Sequence, residues 1–361
     1  MPNASLSGGR SRTRSRGAAA PSRKRGVLDV TVVIPPEGYV STAIAPLEIF
    51  HSAGVLWQSF RGDAPEPRFH VRVASIDGGE VRGMCGLRLL PEISIDAVEH
   101  TDIIVLTASG RNLADHIARS TPLLPWLRKW HARGAYIASV CSAAVFLAES
   151  GLLDGREATT HWGVANDFCQ RYPKVRWRPE QFVTEDGRLF CSGGVYAAVD
   201  LSLYLVEKFC GREIALQCAK SLLLSMPRHS QAGYGAVSLS PPHSDQQIHE
   251  AEAFLQAHFS RGVSIEQLAH SVNMSPRNLI RRFKAATGRM PGEYLQALRI
   301  AQARELLEGG ASSVQQICTQ IGYEDLAFFR RVFKRHTGVA PAEYRSRFAS
   351  MSFDRRVGEQ S

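Results

Sequence analysis

A cysteine and a histidine in the first half of the sequence have surroundings that could support chemistry. The apolar segment Tyr136–Val140 predicts a strand, and it runs directly into Cys141 and a helix-forming segment. A cysteine at such a sharp strand-to-helix turn lies at a helix N-terminus, where the helix dipole favours the thiolate. His161 follows within Thr159-Thr160-His161-Trp162 as a candidate base, and Ser192-Gly193-Gly194 could supply backbone N–H donors. The pattern therefore indicates a nucleophile site.

Strands and helices alternate around this cysteine. The predicted elements are strands at Asp29–Ile34, His70–Ser75, Asp102–Thr107 and Tyr136–Val140 and helices at Ala43–Ala53, Pro122–Ala132, Ser142–Ser150 and Tyr196–Cys210. Nearly apolar strands, each followed by a helix, indicate a parallel sheet covered on both faces. We therefore predict a doubly wound α/β domain over residues 28–226, with a ligand crevice at the carboxyl ends of its strands. The residues expected to line that crevice are Ser41, Thr42, Ser109, Cys141, Ser142, His161 and Trp162.

Each of these residues also has an alternative interpretation that the sequence leaves open. Cys141 could be the buried floor of a ligand pocket or a redox-sensing thiol, and His161 could be a hydrogen-bonded structural residue. Trp162 could belong to the core, or its ring could bind a cation or an amino-acid-like molecule. The seven cysteines are scattered, odd in number and without metal-ligand spacing, so we predict no metal, no cofactor and a reducing cytosol.

Charge and composition indicate how the chain is divided. The net charge is +9, and seven basic residues stand before residue 27 without any acid: Arg10, Arg12, Arg14, Arg16, Arg23, Lys24 and Arg25. We predict that residues 1–27 form a disordered basic tail, which could attract phosphates non-specifically or be idle. Residues 227–244 predict a linker and residues 350–361 a C-terminal tail. No run of about eighteen apolar residues occurs, so we predict a cytoplasmic protein that does not enter a membrane.

The second half contains an internal repeat of about fifty residues. The matched pairs are Phe283-Lys284 with Phe333-Lys334, Thr287-Gly288 with Thr337-Gly338, Pro291 with Pro341, and Glu293-Tyr294 with Glu343-Tyr344. Each copy predicts two helices, and their expected N-cap residues are Ser264 and Ser275 in copy one and Ser313 and Asp325 in copy two. A long helix from Pro291 to Leu307 joins the copies. We therefore predict an all-α domain over residues 245–349 with two helix-turn-helix units.

The second helix of each unit has the pattern of a helix that reads DNA. A short helix projecting from a compact pair fits the major groove, where arginine reads guanine, asparagine reads adenine, and further cations hold phosphates. A helical bundle with solvated arginines is the alternative, and two matched copies argue against it. The residues predicted to face DNA on this pattern are Arg277, Asn278, Arg281 and Arg282 in copy one and Arg330, Arg331, Lys334 and Arg335 in copy two.

Residues 245–349 resemble the AraC/XylS-type DNA-binding domain. The resemblance includes the closing pattern Gly322-Tyr323, Phe328-Phe329-Arg330-Arg331-Val332-Phe333-Lys334, Gly338, Pro341 and Tyr344-Arg345. It implies that the base-facing residues are Arg277, Ile280 and Arg281 in copy one and Leu326, Ala327 and Arg331 in copy two. Copy two is then rather apolar at its groove face, which suggests contacts with thymine methyl groups or a mainly backbone-binding role.

Residues 28–225 resemble the flavodoxin-like ThiJ/PfpI domain, through Ser139-Val140-Cys141, Gly151-Leu152-Leu153-Asp154-Gly155 and Ala158-Thr159-Thr160-His161-Trp162. A ThiJ/PfpI-like domain followed by an AraC-type domain is the order of GlxA-type transcription regulators, in which the first domain senses a metabolite and dimerises. Related enzymes keep an acid where this sequence has Thr42. Their Gly-Gly loop after the third strand is here Thr107-Ala108-Ser109-Gly110. The resemblance therefore implies a domain without catalytic activity.

The expected function is a homodimeric transcription regulator that binds double-stranded promoter DNA and, with RNA polymerase, activates a metabolic operon. The resemblance implies a small-molecule effector related to amino acids or quaternary amines. A cysteine-dependent amidase, hydratase or deglycase with a DNA-binding appendage is the alternative from a different class. A scaffold that uses both domains only for interaction is a third, and the arginines placed to read bases speak against it.

Overall fold

The computed structural model describes residues 26–108, 110, 112–225, 234, 240–241, 243–309 and 312–348. Residues 1–25 of the predicted N-terminal tail, the predicted tail at 350–361 and most of the predicted linker at 227–244 lie outside the described residues. Within the part of the chain that the structure describes, none of the helices combines the length and the apolarity that crossing a lipid bilayer requires.

The first domain is organised around one large β-sheet. Its strands, together with those of two small sheets, are β1 (Leu28–Val33), β2 (Phe69–Ser75), β3 (Val81–Arg82), β4 (Arg88–Leu89), β5 (Ile93–Ser94), β6 (Ile103–Leu106), β7 (Tyr136–Val140), β8 (Glu157–Ala158), β9 (Arg176–Trp177), β10 (Val183–Asp186) and β11 (Leu189–Ser192). The large sheet has seven strands in the order β10-β11-β7-β6-β1-β2-β5. All neighbours in it are parallel except β10 and β11.

Helices cover both faces of this sheet because its central strands are apolar on both sides. The helices are α1 (Ser41–Ser52), α2 (Leu56–Arg61), α3 (Leu113–Arg119), α4 (Leu123–Ala132), α5 (Ala144–Glu149), α6 (Ala165–Arg171), α7 (Ala197–Cys210) and α8 (Arg212–Ser221). Successive strand residues point to opposite faces. In β6, Ile103 and Val105 join the core under α1, α7 and α8, whereas Ile104 and Leu106 join the core under α4, α5 and α6.

The four predicted strands are confirmed to within one residue at each end. The antiparallel pair β10–β11 was not predicted. A two-residue turn joins these strands, and Gly187 at its first position has a φ of 66°, which suits a tight hairpin. The predicted helix Ser142–Ser150 is partly wrong, because residues Cys141–Ala143 form a 3₁₀ turn before α5 begins.

The second domain is entirely helical in its described residues. Its helices are α9 (Gln246–His258), α10 (Ile265–Ser271), α11 (Pro276–Thr287), α12 (Pro291–Glu308), α13 (Val314–Gln320), α14 (Leu326–Thr337) and α15 (Pro341–Phe348). The pairs α10–α11 and α13–α14 are the two predicted helix-turn-helix units, and the connecting helix α12 is confirmed with its start at Pro291. Each unit has its own apolar core.

The N-caps that the repeat predicts are confirmed. Ser264 and Ser313 each form a capping box with the glutamine three residues later. The Ser275 hydroxyl accepts the Asn278 N–H, and the Asp325 carboxylate accepts two backbone N–H groups at the start of α14. These bonds satisfy N–H groups that otherwise lack partners in the first turn. The helix starts are therefore set by local sequence.

Candidate functional site

Cys141 adopts the strained backbone of a nucleophile elbow. It follows β7 directly and has a φ of 58°, a conformation that side chains other than glycine rarely adopt. The residue is buried, and the Thr160 hydroxyl donates a hydrogen bond of 3.0 Å to its carbonyl oxygen. Strain of this kind persists only where the surrounding structure over-determines it. The elbow that the sequence predicted is present.

The electrostatic surroundings of Cys141 do not favour a thiolate. Burial raises the pKa of its thiol to about 11, and the polar groups that oppose this rise, the Ser142 backbone and side chain, do not offset it. Burial also lowers the pKa of His161 below its ordinary value. Near neutral pH the thiol and the imidazole are therefore both uncharged, and they do not form the ion pair that would activate the cysteine.

His161 and Trp162 lie beside the loop that follows β11. The His161 Nδ1 accepts the Gly163 N–H at 3.0 Å, and its ring stacks on Trp162 with 5.2 Å between the centroids. A Cβ atom at Gly194 would lie 3.4 Å from His161 Cδ2, so the glycine lets this loop approach the imidazole closely. The Trp162 side chain is 39% exposed. It is therefore a surface aromatic residue and not a core one.

Thr42, which the resemblance aligns with the acid of related enzymes, is held by two hydrogen bonds. Its hydroxyl donates to the Tyr39 carbonyl oxygen and accepts the Ala108 N–H at 3.0 Å, and the side chain is fully buried. Thr42 therefore ties together the loops after β1 and β6. Ser41 is half-buried at the start of α1, whereas Ser109 lies outside the described residues.

A buried histidine behind the same loops was missed by the sequence analysis. His116 in α3 is 2% exposed, and its Nδ1 has no hydrogen-bond partner among the described residues. Its Nε2 lies 3.9 Å from a Glu37 carboxylate oxygen, and Arg119 pairs with the same carboxylate at 3.0 Å. Burial lowers the pKa of His116, an effect that Glu37 partly opposes. No spacing motif in the sequence marks this contact, because Glu37 and His116 lie far apart along the chain.

The helix α11 presents the predicted DNA-facing residues of the first unit on one surface. Arg277 and Arg281 are exposed and lie one turn apart, and Asn278 and Ile280 are half-buried beside them. The Arg281 guanidinium donates to the Asn278 side-chain oxygen at 2.9 Å. Neither arginine forms an ion pair among the described residues, and both guanidinium groups lie at the surface of the domain.

Arg282 differs from its predicted neighbours because its guanidinium is held within the domain. It pairs bidentately with the Asp245 carboxylate, at 2.6 and 2.9 Å, and donates a third hydrogen bond of 2.7 Å to Gln247. The pair holds the pKa of Asp245 below its usual range. Arg282 thus fastens α11 to the start of α9, and neither of its partners was predicted from the sequence.

The helix α14 presents a surface that is both cationic and apolar. Ala327, Arg330, Arg331 and Lys334 are exposed, and Leu326 is half-buried. Phe328 is also 40% exposed, and the Arg331 guanidinium lies 5.8 Å from the centroid of its ring. Phe328 was not among the residues predicted to face DNA. Helical spacing indicates its exposure, because Phe328 lies one residue before the buried stripe formed by Phe329, Val332 and Phe333.

Two family models match the chain in the order that the motifs predict. The DJ-1/PfpI family matches residues 47–208, and a helix-turn-helix domain matches residues 268–347. The crystal structure of Drosophila melanogaster DJ-1beta is similar to this chain, with a TM-score of 0.47 and 23% identity. The matched region is 55% of this chain and 99% of the DJ-1beta chain.

Two curated relatives are similar over most of their length. The HTH-type transcriptional regulator CdhR of Pseudomonas aeruginosa is 27% identical over 317 residues, which are 86% of this chain and 88% of CdhR. The HTH-type transcriptional regulator GlxA of Rhizobium meliloti is 26% identical over 292 residues, which are 80% of this chain and 88% of GlxA. The first domain therefore matches the DJ-1/PfpI family and the second an AraC-type helix-turn-helix domain, and over most of its length the chain is similar to HTH-type transcriptional regulators.

Proposed function

We propose that this chain is a homodimeric, sequence-specific regulator of a metabolic operon, which it activates with RNA polymerase when a small molecule binds the first domain. The observation that carries the proposal is the pair of matched helices α11 and α14, each capped and packed alike and each with exposed arginines on its outer surface. Two such helices joined through α12 can enter successive segments of the major groove.

The proposed contacts follow from the exposure of each side chain. Bases are read by Arg277, Asn278, Ile280 and Arg281 in the first unit and by Leu326, Ala327 and Arg331 in the second. Arg330 and Lys334 hold phosphates, which positions the domain without reading sequence. Arg282 contributes by fixing the orientation of α11, because its guanidinium is already bound to Asp245 and Gln247.

Genome-wide occupancy in the native host tests the regulatory proposal. The tagged wild-type chain is compared with an Arg281→Ala/Arg331→Ala double variant, and an Arg61→Ala/Arg212→Ala variant removes two exposed charges from the first domain as a matched control. We expect sharp peaks at a few promoters that vanish only in the first variant. Diffuse occupancy, or peaks that survive in that variant, would show that these helices do not specify the site.

We propose that the effector binds at the carboxyl ends of the strands, beside Ser41, Thr42, Ser109, Cys141, Ser142, His161 and Trp162. Support comes from the exposed Trp162 ring stacked on an uncharged His161, which suits a quaternary amine or an amino-acid-like cation. To switch the regulator, the ligand must bind the active arrangement better than the inactive one.

Calorimetry with a panel of quaternary amines and α-amino acids tests this site. Trp162→Ala should weaken the ligand that binds by about tenfold, within the usual range of cation–π energies. Phe60→Ala is the control, because it removes an exposed aromatic side chain of α2, outside the loops that follow β7 and β11. Equal losses of ligand affinity in the two variants would contradict the proposed position of the effector site.

A cysteine-dependent enzyme is the second candidate, and the positive φ of Cys141 is the observation that favours it. The raised pKa of the thiol and the hydroxyl of Thr42 in place of an acid oppose it. The test compares wild type with Cys141→Ser for turnover of amide, isonitrile and glycated substrates and for regulation of the target promoter. Turnover that disappears in Cys141→Ser would support the enzyme, whereas regulation that persists would support the sensor.

A further inference from the structure

A tyrosine of the predicted linker packs between aromatic side chains of the two domains. The centroid of the Tyr234 ring lies 5.6 Å from that of Phe182 and 4.9 Å from that of Phe348. Phe182 immediately precedes β10 in the first domain, and Phe348 is the last residue of α15 in the second. Both pairs meet edge to face, at interplanar angles of 85° and 78°, which is an arrangement that aromatic rings favour. Tyr234 therefore connects the two domains through a specific contact.

The contact with Tyr234 accounts for the burial of Phe182. Phe182 is 4% exposed, yet among the described residues it belongs to neither of the two hydrophobic cores that flank the large sheet. It lies next to β10, which is the edge strand of that sheet. A large apolar side chain at a sheet edge stays buried only if another group covers it. The Tyr234 ring, itself 37% exposed, is such a group.

In the first domain, the backbone around Phe182 is hydrogen-bonded to both loops of the proposed effector crevice. The Phe182 carbonyl oxygen accepts the Gly193 N–H at 2.9 Å, which joins it to the loop after β11. The Thr159 hydroxyl donates to the Gln181 carbonyl oxygen at 3.0 Å, and Thr159 lies two residues before His161. A ligand that displaces either loop therefore also displaces the segment that carries the Phe182 ring.

In the second domain, Phe348 is continuous with the core beneath α14. The Phe348 ring lies 4.5 Å from the Tyr344 ring, which packs against Phe333 of α14 at 5.4 Å. The Tyr344 hydroxyl donates to Glu308 at 2.6 Å and accepts from Arg304 at 2.8 Å, so its ring is held in place. A row of aromatic rings thus extends from the linker to the DNA-facing helix of the second unit.

We propose that the rings of Phe182, Tyr234 and Phe348 form an aromatic clasp that couples the effector crevice to the second helix-turn-helix unit. This inference rests on the proposed function, because it assigns the contact through which a bound effector alters α14. Among the described residues, no helix or strand of the first domain packs extensively on a helix of the second. The clasp can therefore open and close, since only a large apolar interface holds two domains rigidly. A ligand that shifts the Gly193 loop changes the closed fraction, and DNA bound at α14 must affect that loop in return.

Hydrogen exchange of the full chain, without any ligand, tests the clasp itself. Tyr234→Ala removes the half-exposed ring without opening either core, Tyr234→Phe keeps the ring, and Phe60→Ala removes an exposed aromatic side chain of α2 as a control. We expect Tyr234→Ala alone to speed amide exchange by about fivefold or more around Gly193 and in α15, because both segments lose a packing partner. Unchanged exchange in these two segments would overturn the proposal, and so would equally fast exchange in Tyr234→Phe.

A second measurement tests the coupling, with a duplex of the promoter that is most strongly occupied in the native host as the probe. In the wild type and in Tyr234→Phe, the bound duplex should change exchange around Gly193 by about fivefold. In Tyr234→Ala it should protect α11 and α14 and leave the Gly193 segment unchanged. A Gly193 response that is the same in Tyr234→Ala, or that is absent from the wild type, would overturn the coupling. A chain that occupies no promoter contradicts the proposed function instead, and exchange without DNA then still decides whether the clasp exists.

Discussion

The two helix-turn-helix units share one internal frame and differ in the surface they present. Phe283 packs edge-on against Tyr294 with 5.3 Å between the ring centroids, and Phe333 packs against Tyr344 in the same way at 5.4 Å. Gly288 and Gly338 end their helices with φ values of 73° and 80°. The repeat therefore extends to individual side-chain contacts in the core.

The outer surfaces diverge at equivalent positions. Asn278 of the first unit corresponds to Phe328, and Arg282 corresponds to Val332, which is fully buried. The first unit thus orients its helix with an ion pair to α9, whereas the second buries an apolar residue at the same place. The two units therefore share their core packing and differ in the residues that surround it. We expect the first unit to read sequence and the second to contact phosphates and thymine methyl groups.

Truncation of the paired phenylalanines should have the largest effect. Phe283→Ala and Phe333→Ala each remove a fully buried ring, which costs about 3–5 kcal/mol of the free energy of unfolding. Because the packing is matched, the two losses should be similar. Chemical denaturation of each variant measures them. A much smaller loss in one unit would mean that the two cores are not equivalent.

Substitution of one arginine in each unit should separate reading from anchoring. Arg281→Ala should cost about 1–3 kcal/mol of operator binding and relax the preference at one base pair. Arg330→Ala should weaken binding to all sequences alike. It should also reduce the slope of log binding constant against log salt concentration by about one. Binding assays at several salt concentrations measure both effects. The proposed division of roles fails if the two variants behave identically.

Removal of the N-caps should have an intermediate effect on the free energy of unfolding, and it tests whether the two helix-turn-helix units are equally stable. Ser264→Ala and Ser313→Ala each break one capping box, at a cost of about 1 kcal/mol. Ser271→Ala is a control in the same region, because its hydroxyl only donates to a carbonyl of its own helix. Thermal unfolding compares the three variants. A control as destabilised as the cap variants would contradict the explanation.

The ion pair specific to the first unit should give the smallest effect, and it should depend on pH. The lowered pKa of Asp245 means that the pair stabilises the folded chain above the unfolded pKa of this carboxyl group. That contribution is lost as the pH falls through the folded pKa. Asp245→Asn should therefore destabilise the domain near neutral pH and make little difference in acid. A stability difference that is constant across this range would rule out the pair as its cause.

The sequence by itself determined the elements that depend on near neighbours. Caps lie three residues from the groups they bind, and helix and strand faces repeat every few residues, so α10 to α14 and the central strands could be predicted. The elbow at Cys141 was predictable for the same reason, because an apolar strand runs directly into a run of small residues. Its left-handed φ and raised pKa needed the tertiary structure.

Only the tertiary structure decided the partners of the long polar side chains. Arg282 was predicted to contact DNA, but its guanidinium binds Asp245, which lies 37 residues away in the chain. The Thr42 hydroxyl accepts the backbone N–H of Ala108. The Glu252 carboxylate accepts a hydrogen bond from Ser240 and pairs with His243 and His249. Such contacts form because folding brings distant groups within hydrogen-bond range, and buried polar groups must then find partners wherever the packing offers them.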